Sequence, residues 1–425
     1  MQANINRNQL FVASCLALLV TSLSFGIRAG ILNRLGVDFH LDASQLASIA
    51  ATAFWGFPLA VVIGGMIVDV IGMKKLLLIA FICHLAGIVL TVTATGYWSL
   101  FLSTLLIGIA NGTVEAACNP LVATIYAENK TTKLNHFHLW FPGGIVIGTL
   151  IVFFFDKMGI GWQTQVGMMI IPTLIYGYLF YRLDFPVTER VASGVSTGEM
   201  YRSVLSPLFL FMFICMFGTA ITELFTGQWV GVLLNNVTDN PILILTITTG
   251  VMVVGRGLAE PVVHRFSPQG VLLMSAVMAA LGMYMLSTMS GNSLYFAALV
   301  FGIGVCYFWP TMLGFVAENI PRSGALGLNL MGGAGMFAVS IYTLFMGGFY
   351  DRLLLKQLPE GASLDTFRSA AAGSTEAAQY AAAQLTAGPE VLKATAVIPI
   401  ILVIAFSGLV FYMRNKKAEV LKAGA

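Results

Sequence analysis

Residues 9–33 read QLFVASCLALLVTSLSFGIRAGILN, a run long enough to cross a bilayer and interrupted by a single charge, Arg28. A spanning helix needs about 20 mainly apolar residues, and this run is continuous where a barrel strand would alternate. Comparable blocks follow at 44–69, 75–95, 98–126, 134–155, 163–182, 206–233, 241–264, 269–289, 293–317, 324–350 and 392–413. With 58% of residues hydrophobic and only 10% charged, and a mean hydropathy of +0.86, a water-soluble fold is excluded. The first block has no small-residue cleavage site after a short apolar core, so it is expected to be retained as a helix.

The expected class is an all-α membrane protein of twelve transmembrane helices in two pseudo-symmetric six-helix bundles. Residues 1–182 and 206–425 form the bundles, and the polar stretch 183–205 links them. The Ala-rich stretch 351–391 falls between the last two spans. It is expected to be a solvated spacer, with short surface helices and a lid as the alternatives.

Lysine and arginine set the orientation. With the N-terminus inside, Arg7, Lys74, Lys75, Lys130, Lys133, Arg182, Arg190, Arg202, Arg265, Arg322, Arg414, Lys416, Lys417 and Lys422 are cytoplasmic. Arg34, Lys157, Arg352, Lys356, Arg368 and Lys393 lie on the other side. Fourteen against six implies cytoplasmic termini and an even number of spans, with Arg28 and Arg256 left inside helices. The pI of about 8.5 follows from this asymmetry and gives no reason to invoke nucleic acid. Cys15, Cys83, Cys118, Cys215 and Cys306 all fall within spans and form no CxxC pair. They read as packing residues, with no disulfide framework or metal site implied.

The two halves resemble each other residue by residue. Ala127-Glu128-Asn129 recurs as Ala317-Glu318-Asn319, and Pro120 as Pro310. A charged loop and a Gly-rich helix follow each, with Gly143, Gly144 and Gly148 in the first half and Gly332, Gly333 and Gly335 in the second. Glycine lets helices approach closely, and parallel repeats of this kind characterise alternating-access carriers.

After the second span the chain reads Gly65-Met66-Ile67-Val68-Asp69-Val70-Ile71-Gly72-Met73-Lys74-Lys75. An Asp at a helix end can pair with a base or cap a neighbouring helix, fixing one closed state. Gly65, Asp69, Gly72, Lys74 and Lys75 resemble the signature of the major facilitator superfamily, with Val70 replacing the customary basic residue. The second half keeps an echo at Val263-His264-Arg265-Phe266-Ser267-Pro268. Glu115-Ala116-Ala117-Cys118-Asn119-Pro120, then Leu134-Asn135 and Gly144, is similar to the fucose–proton symporter family of sugar porters. Arg256 with Arg265-Phe266-Ser267-Pro268 resembles that family's eighth helix. This chain departs from it in lacking an acid in Phe25–Gly30, where Arg28 is the only ionisable residue, and in carrying Phe141 late in the fifth-span motif.

Charges within spans carry the functional reading, because an ion near the bilayer centre normally faces a cavity and has a partner. They are Arg28, Glu115, Glu223 and Arg256; static bracing of the bundles is one reading, gating or proton coupling the other. Counting about 1.5 Å per residue matches Glu115 with Arg256 in depth, and Arg28 with Glu223. These pairs are expected to act as inner and outer latches, and Glu115 as the proton-coupling acid. Asn111, Asn119, Asn135, His138 and Gln228 are candidate hydroxyl binders; Trp140, Trp229 and Trp309 are candidate stacking platforms for a sugar ring. The expected function is alternating-access import of a neutral sugar with a proton, and the alternative is a proton-coupled exporter of drugs or other amphiphiles. No nucleophile–base or metal spacing supports an enzyme. No cofactor is expected beyond the proton as coupling ion. A monomer in a plasma membrane, a bacterial inner membrane in particular, completes the expectation.

Overall fold

A computed structural model describes residues 5–41, 43–234, 237–238 and 241–423. The side chains of Lys417 and Lys422, counted in the charge bias, lie outside the described residues. The regular elements are helices: α1 (Arg7–Asp38), α2 (Ala43–Ile71), α3 (Met73–Val92), α4 (Tyr97–Ile125), α5 (Lys130–His138), α6 (Trp140–Lys157), α7 (Trp162–Gly167), α8 (Ile170–Arg182), α9 (Glu189–Ala192) and α10 (Thr197–Val204). There follow α11 (Pro207–Ala220), a π-helical turn at Ile221–Phe225, α12 (Thr226–Leu233), α13 (Pro241–Gly257), α14 (Ala259–Thr288), α15 (Ser293–Val305), α16 (Phe308–Asn319), α17 (Gly324–Gln357), α18 (Leu364–Arg368), α19 (Thr375–Thr395) and α20 (Val397–Ala423).

Among the described residues, ten helical segments are long and apolar enough to cross a membrane. The two further expected spans are present as shorter pieces. One is α13; the other is divided into α7 and α8. The fifth span is interrupted at Leu139, between α5 and α6. Pro142 sits in the first turn of α6, where its missing N–H would otherwise have bonded the His138 carbonyl.

By their contacts the helices form two compact units, Met1–Phe213 with Pro310–Met336, and Ile214–Trp309 with Phe337–Ala425. In the first unit α4 is enclosed: every side chain from Ala110 to Ala123 is buried. Lipid tails are as apolar as leucine, so close packing and interhelical hydrogen bonds hold such a helix in place. Gly112 is what brings α2 so near, since a Cβ there would lie 2.2 Å from the Phe57 carbonyl oxygen. Gly72, with φ of 87°, makes the turn from α2 to α3, a conformation that a side chain disfavours. In the linker, Ser196 and Glu199 cap α10 reciprocally. The hydrogen bond from the Ser196 backbone N–H is the main reason the Glu199 carboxyl is held below the usual carboxylate range.

In the second unit α14 turns sharply at Ser267, where φ is 60° and ψ is 160°. The following Pro268 disfavours a helical backbone at Ser267, so the Val263–Pro268 echo of the first-half motif ends at a kink. The stretch 351–391 is not the expected spacer. Most of it is helical, and α19 buries Ala383, Gln384, Ala387, Gly388, Val391, Leu392 and Thr395. Its alanines recur at helical spacing, and Gly388 lets it press against the Leu233 carbonyl at the end of α12. Solvent-like composition hid a packed face made of the smallest side chains.

Placing a methyl group at Gly112 forces α2 and α4 apart, and overpacking of this kind typically costs about 1–3 kcal/mol. Gly112→Ala is therefore expected to lower the melting temperature of detergent-purified protein by several degrees. Gly198→Ala, where an added Cβ meets nothing within 4 Å, is expected to leave it unchanged or slightly raised; equal melting of both variants would contradict this packing.

Candidate functional site

Glu115 sits in the middle of the enclosed stretch of α4, 4% exposed. Asn119 follows one turn later on the same face, as i,i+4 spacing requires. Its Nδ2 donates to Glu115 Oε2 at 2.6 Å. His138, the last residue of α5, closes the group: its Nε2 lies 3.0 Å from Asn119 Oδ1, and its Nδ1 lies 3.9 Å from Glu115 Oε1. Asn119 and His138 are each 2% exposed. Three of the residues singled out from sequence thus form one buried ring of an acid, an amide and an imidazole.

Proline explains two further anchors. Pro120 cannot donate to the carbonyl four residues back, and that carbonyl, of Ala116, accepts from Asn329 Nδ2 at 2.9 Å. Gly65 makes room for this contact, since a Cβ there would meet the Asn329 Cβ at 2.5 Å. The device recurs in the second half of the sequence. Pro310 frees the Cys306 carbonyl, which accepts from Arg256 Nε at 2.7 Å. The paired prolines were visible in the sequence; Asn329 was not singled out.

Arg256 also reaches Glu223, with Nη2 2.8 Å from Oε1. The expectation that pairs Glu223 with Arg28 is thereby corrected. Arg28 is half-buried and lies 5.1 Å from the centre of the Phe25 ring; no ion pair of Arg28 is present among the described residues. Glu223 belongs to the π-helical turn, a local distortion often found at functional sites. Its Oε2 and the Thr226 Oγ1 are buried without a hydrogen-bond partner.

The other candidates are distributed as follows. Asn111 is held in an internal network: His84 Nε2 contacts its Oδ1 at 2.8 Å, its Nδ2 donates to Ser24 at 3.1 Å, and Tyr176 meets His84 Nδ1 at 2.8 Å. Both ends of the Asn111 amide are thus engaged within the first unit. Asn135 donates to the Thr131 carbonyl at 2.9 Å and to Thr311 at 3.3 Å. Trp140 is half-buried, and its carbonyl accepts from Ser22. In the second unit Trp309 is buried, Gln228 is exposed, and Trp229 stacks on Phe225 with ring centres 5.7 Å apart.

The superfamily-like motif has partners that the sequence did not reveal. Asp69 accepts from Arg190 Nε at 2.6 Å and from Thr188 Oγ1 at 2.5 Å. Lys74 donates to the Leu183 carbonyl at 2.9 Å, while Lys75 is exposed. Nearby, Lys130 pairs with Glu189 at 2.7 Å and donates to the Ala317 carbonyl at 3.1 Å. Glu318 accepts from the Thr131 N–H and hydroxyl at 2.9 and 2.7 Å. The first-half string ends differently, for Glu128 takes Arg7 at 3.1 Å. Arg190 and Lys130, read as linker and loop, are therefore buried within clasps.

The sequence matches the model of the Major Facilitator Superfamily over residues 14–343. The chain belongs to that superfamily. A facilitated glucose transporter, member 10 of solute carrier family 2 from Danio rerio, is 27% identical over 164 residues, 38% of this chain and 32% of the relative. The galactose-proton symporter of Escherichia coli strain K12 is 27% identical over 164 residues, 38% of this chain and 35% of its own. The chain thus spans about a third of the length of the curated relatives it matches. In structure it matches the fucose:proton symporter of E. coli with a TM-score of 0.68 and 14% identity, over 92% of this chain and 98% of that one. At that identity the fold is what is shared.

Loss of the Asn329 amide leaves the Ala116 carbonyl buried and unmet, which costs about 1–3 kcal/mol. Asn329→Ala should lower the melting temperature of the purified protein, and adding Pro120→Ala, which restores a backbone donor, should recover part of the loss. Strictly additive losses in the double variant would contradict the pairing.

Proposed function

We propose that this superfamily member imports a neutral sugar together with a proton by alternating access, lying in a plasma membrane with both termini in the cytoplasm. The observation that carries the reading is Glu115, an acid enclosed within a spanning helix and bonded to Asn119 beside His138. Such an acid is costly unless its proton is part of the mechanism. A sugar hydroxyl competing for Asn119 or His138 alters the surroundings of Glu115, which links sugar occupancy to protonation. Names among the relatives, a facilitated glucose transporter and a galactose-proton symporter, support a sugar as substrate. The positive-charge bias supports the orientation. By that bias the Asp69–Arg190, Lys130–Glu189 and Glu318–Thr131 clasps lie at the cytoplasmic end, where they hold the inner gate shut and part when it opens.

Glu115→Gln keeps shape and hydrogen bonding but removes the titratable proton. In proteoliposomes loaded with the sugar that stabilises the purified protein in a thermal-shift panel, the variant should lose pH-driven accumulation and retain counterflow exchange. Accumulation against a gradient with unaltered pH dependence would remove the coupling role.

A further inference from the structure

Arg28 is a cation within a span that no carboxylate meets. Among the described residues it makes no ion pair and no hydrogen bond, and its guanidinium carbon lies 5.1 Å from the centre of the Phe25 ring. Two carboxylates towards the same end of the first unit are engaged by other groups. Asp156 takes Arg34 and Gln165, each at 2.7 Å, and Asp38 takes the Trp162 indole N–H at 2.7 Å.

Ser24, Arg28, Ile31 and Leu35 recur at helical spacing and so share one face of α1. Ser24, Ile31 and Leu35 are buried, so this face is turned to the interior of the unit. It lines a cavity of about 30 Å³ whose other walls come from α2, α3, α4 and α7, all within the first unit. Three hydroxyls also line it, those of Ser24, Thr91 and Thr104. Two have spent their hydrogen: Thr91 donates to the Gly87 carbonyl at 2.8 Å, and Ser24 donates to the Thr21 carbonyl at 2.6 Å. Thr104 is 5% exposed and makes no hydrogen bond among the described residues. A guanidinium has several N–H donors and no acceptor, so Arg28 and Thr104 together offer donors without a counter-charge.

The cavity is separate from the Glu115 group. Asn111 on α4 meets Ser24 on α1. Arg28 lies one turn beyond Ser24, and Glu115 one turn beyond Asn111 in the opposite direction, which places them about 12 Å apart along the helix axes.

We propose that this cavity binds one small monovalent anionic group, held by Arg28 and Thr104. A cation withdrawn from water is costly until an opposite charge meets it. The volume suits a group of about the size of one or two waters, as a halide or a terminal carboxylate is. The walls contributed by Ile31, Leu100, Ile107 and Val166 cannot replace the hydration of a dianion, so sulfate is rejected. The site does not depend on the symport reading.

Melting of purified protein tests this, with sodium sulfate replaced stepwise at constant ionic strength by sodium bromide or sodium D-glucuronate, and with D-glucose as the neutral control. At least one monovalent anion should raise the wild-type melting temperature by about 2 °C in a saturable way. Arg28→Gln should abolish the rise, and Arg28→Lys should keep part of it. Stabilisation by bromide identifies a free halide as the source. Stabilisation by D-glucuronate alone identifies the carboxylate of a solute; the Arg28 site then stands and the neutral-sugar reading falls. Equal responses of wild type and Arg28→Gln to both anions overturn the proposal. If Arg28→Gln does not fold, Thr104→Val reads the same site. Losing a hydrogen bond to an anion should raise the half-saturating concentration about tenfold, and an unchanged concentration overturns the proposal.

Discussion

Inside a bilayer an unmet polar group has no water to turn to, so each carbonyl, amide and charge must find its partner within the protein. That constraint organises what is seen here. Pro120 and Pro310 each free a carbonyl, and Asn329 and Arg256 are the side chains that meet them. Arg256, once drawn to the Cys306 carbonyl, needs a counter-charge and takes Glu223. Glu115 needs a donor and takes Asn119, whose other end then orients His138. The polar interior is a chain of consequences, each step forced by the need to satisfy the one before.

The same constraint bears on the coupling proposed for Glu115. In the proposed coupling, Glu115 accepts from Asn119 and lies beside His138, so a sugar that displaces either partner changes the surroundings that decide between its two forms. Fixed partners keep that balance reproducible. A transporter with the acid loose in a water-filled cavity would protonate with the bulk solution, and sugar occupancy would not govern it.

The helical class, the span positions and the depth of Glu115 within α4 were legible because membrane helices announce themselves by length and apolarity. Glu115 was flagged as a charge within a span, and Asn119 and His138 as candidate hydroxyl binders. The partner of Glu223 was not legible, because depth along a helix says little about where a long side chain ends. The clasps of Arg190, Glu189 and Lys130 were hidden too, since a charge in a loop reads as solvated until the fold covers it. The face of α19 was missed for the opposite reason: alanine and glycine carry weak hydropathy but pack very closely. His84 and Tyr176 gave no signal, as a single polar residue in a span looks the same whether braced or functional.

Proton movement with sugar is the most direct reading of coupling. A weakly buffered suspension of de-energised proteoliposomes, followed with a pH electrode, should become more alkaline outside when a sugar that stabilises the protein is added externally, because each sugar entering takes a proton with it. Uptake of that sugar with no change in external pH would contradict symport, and acidification would reverse the direction of coupling.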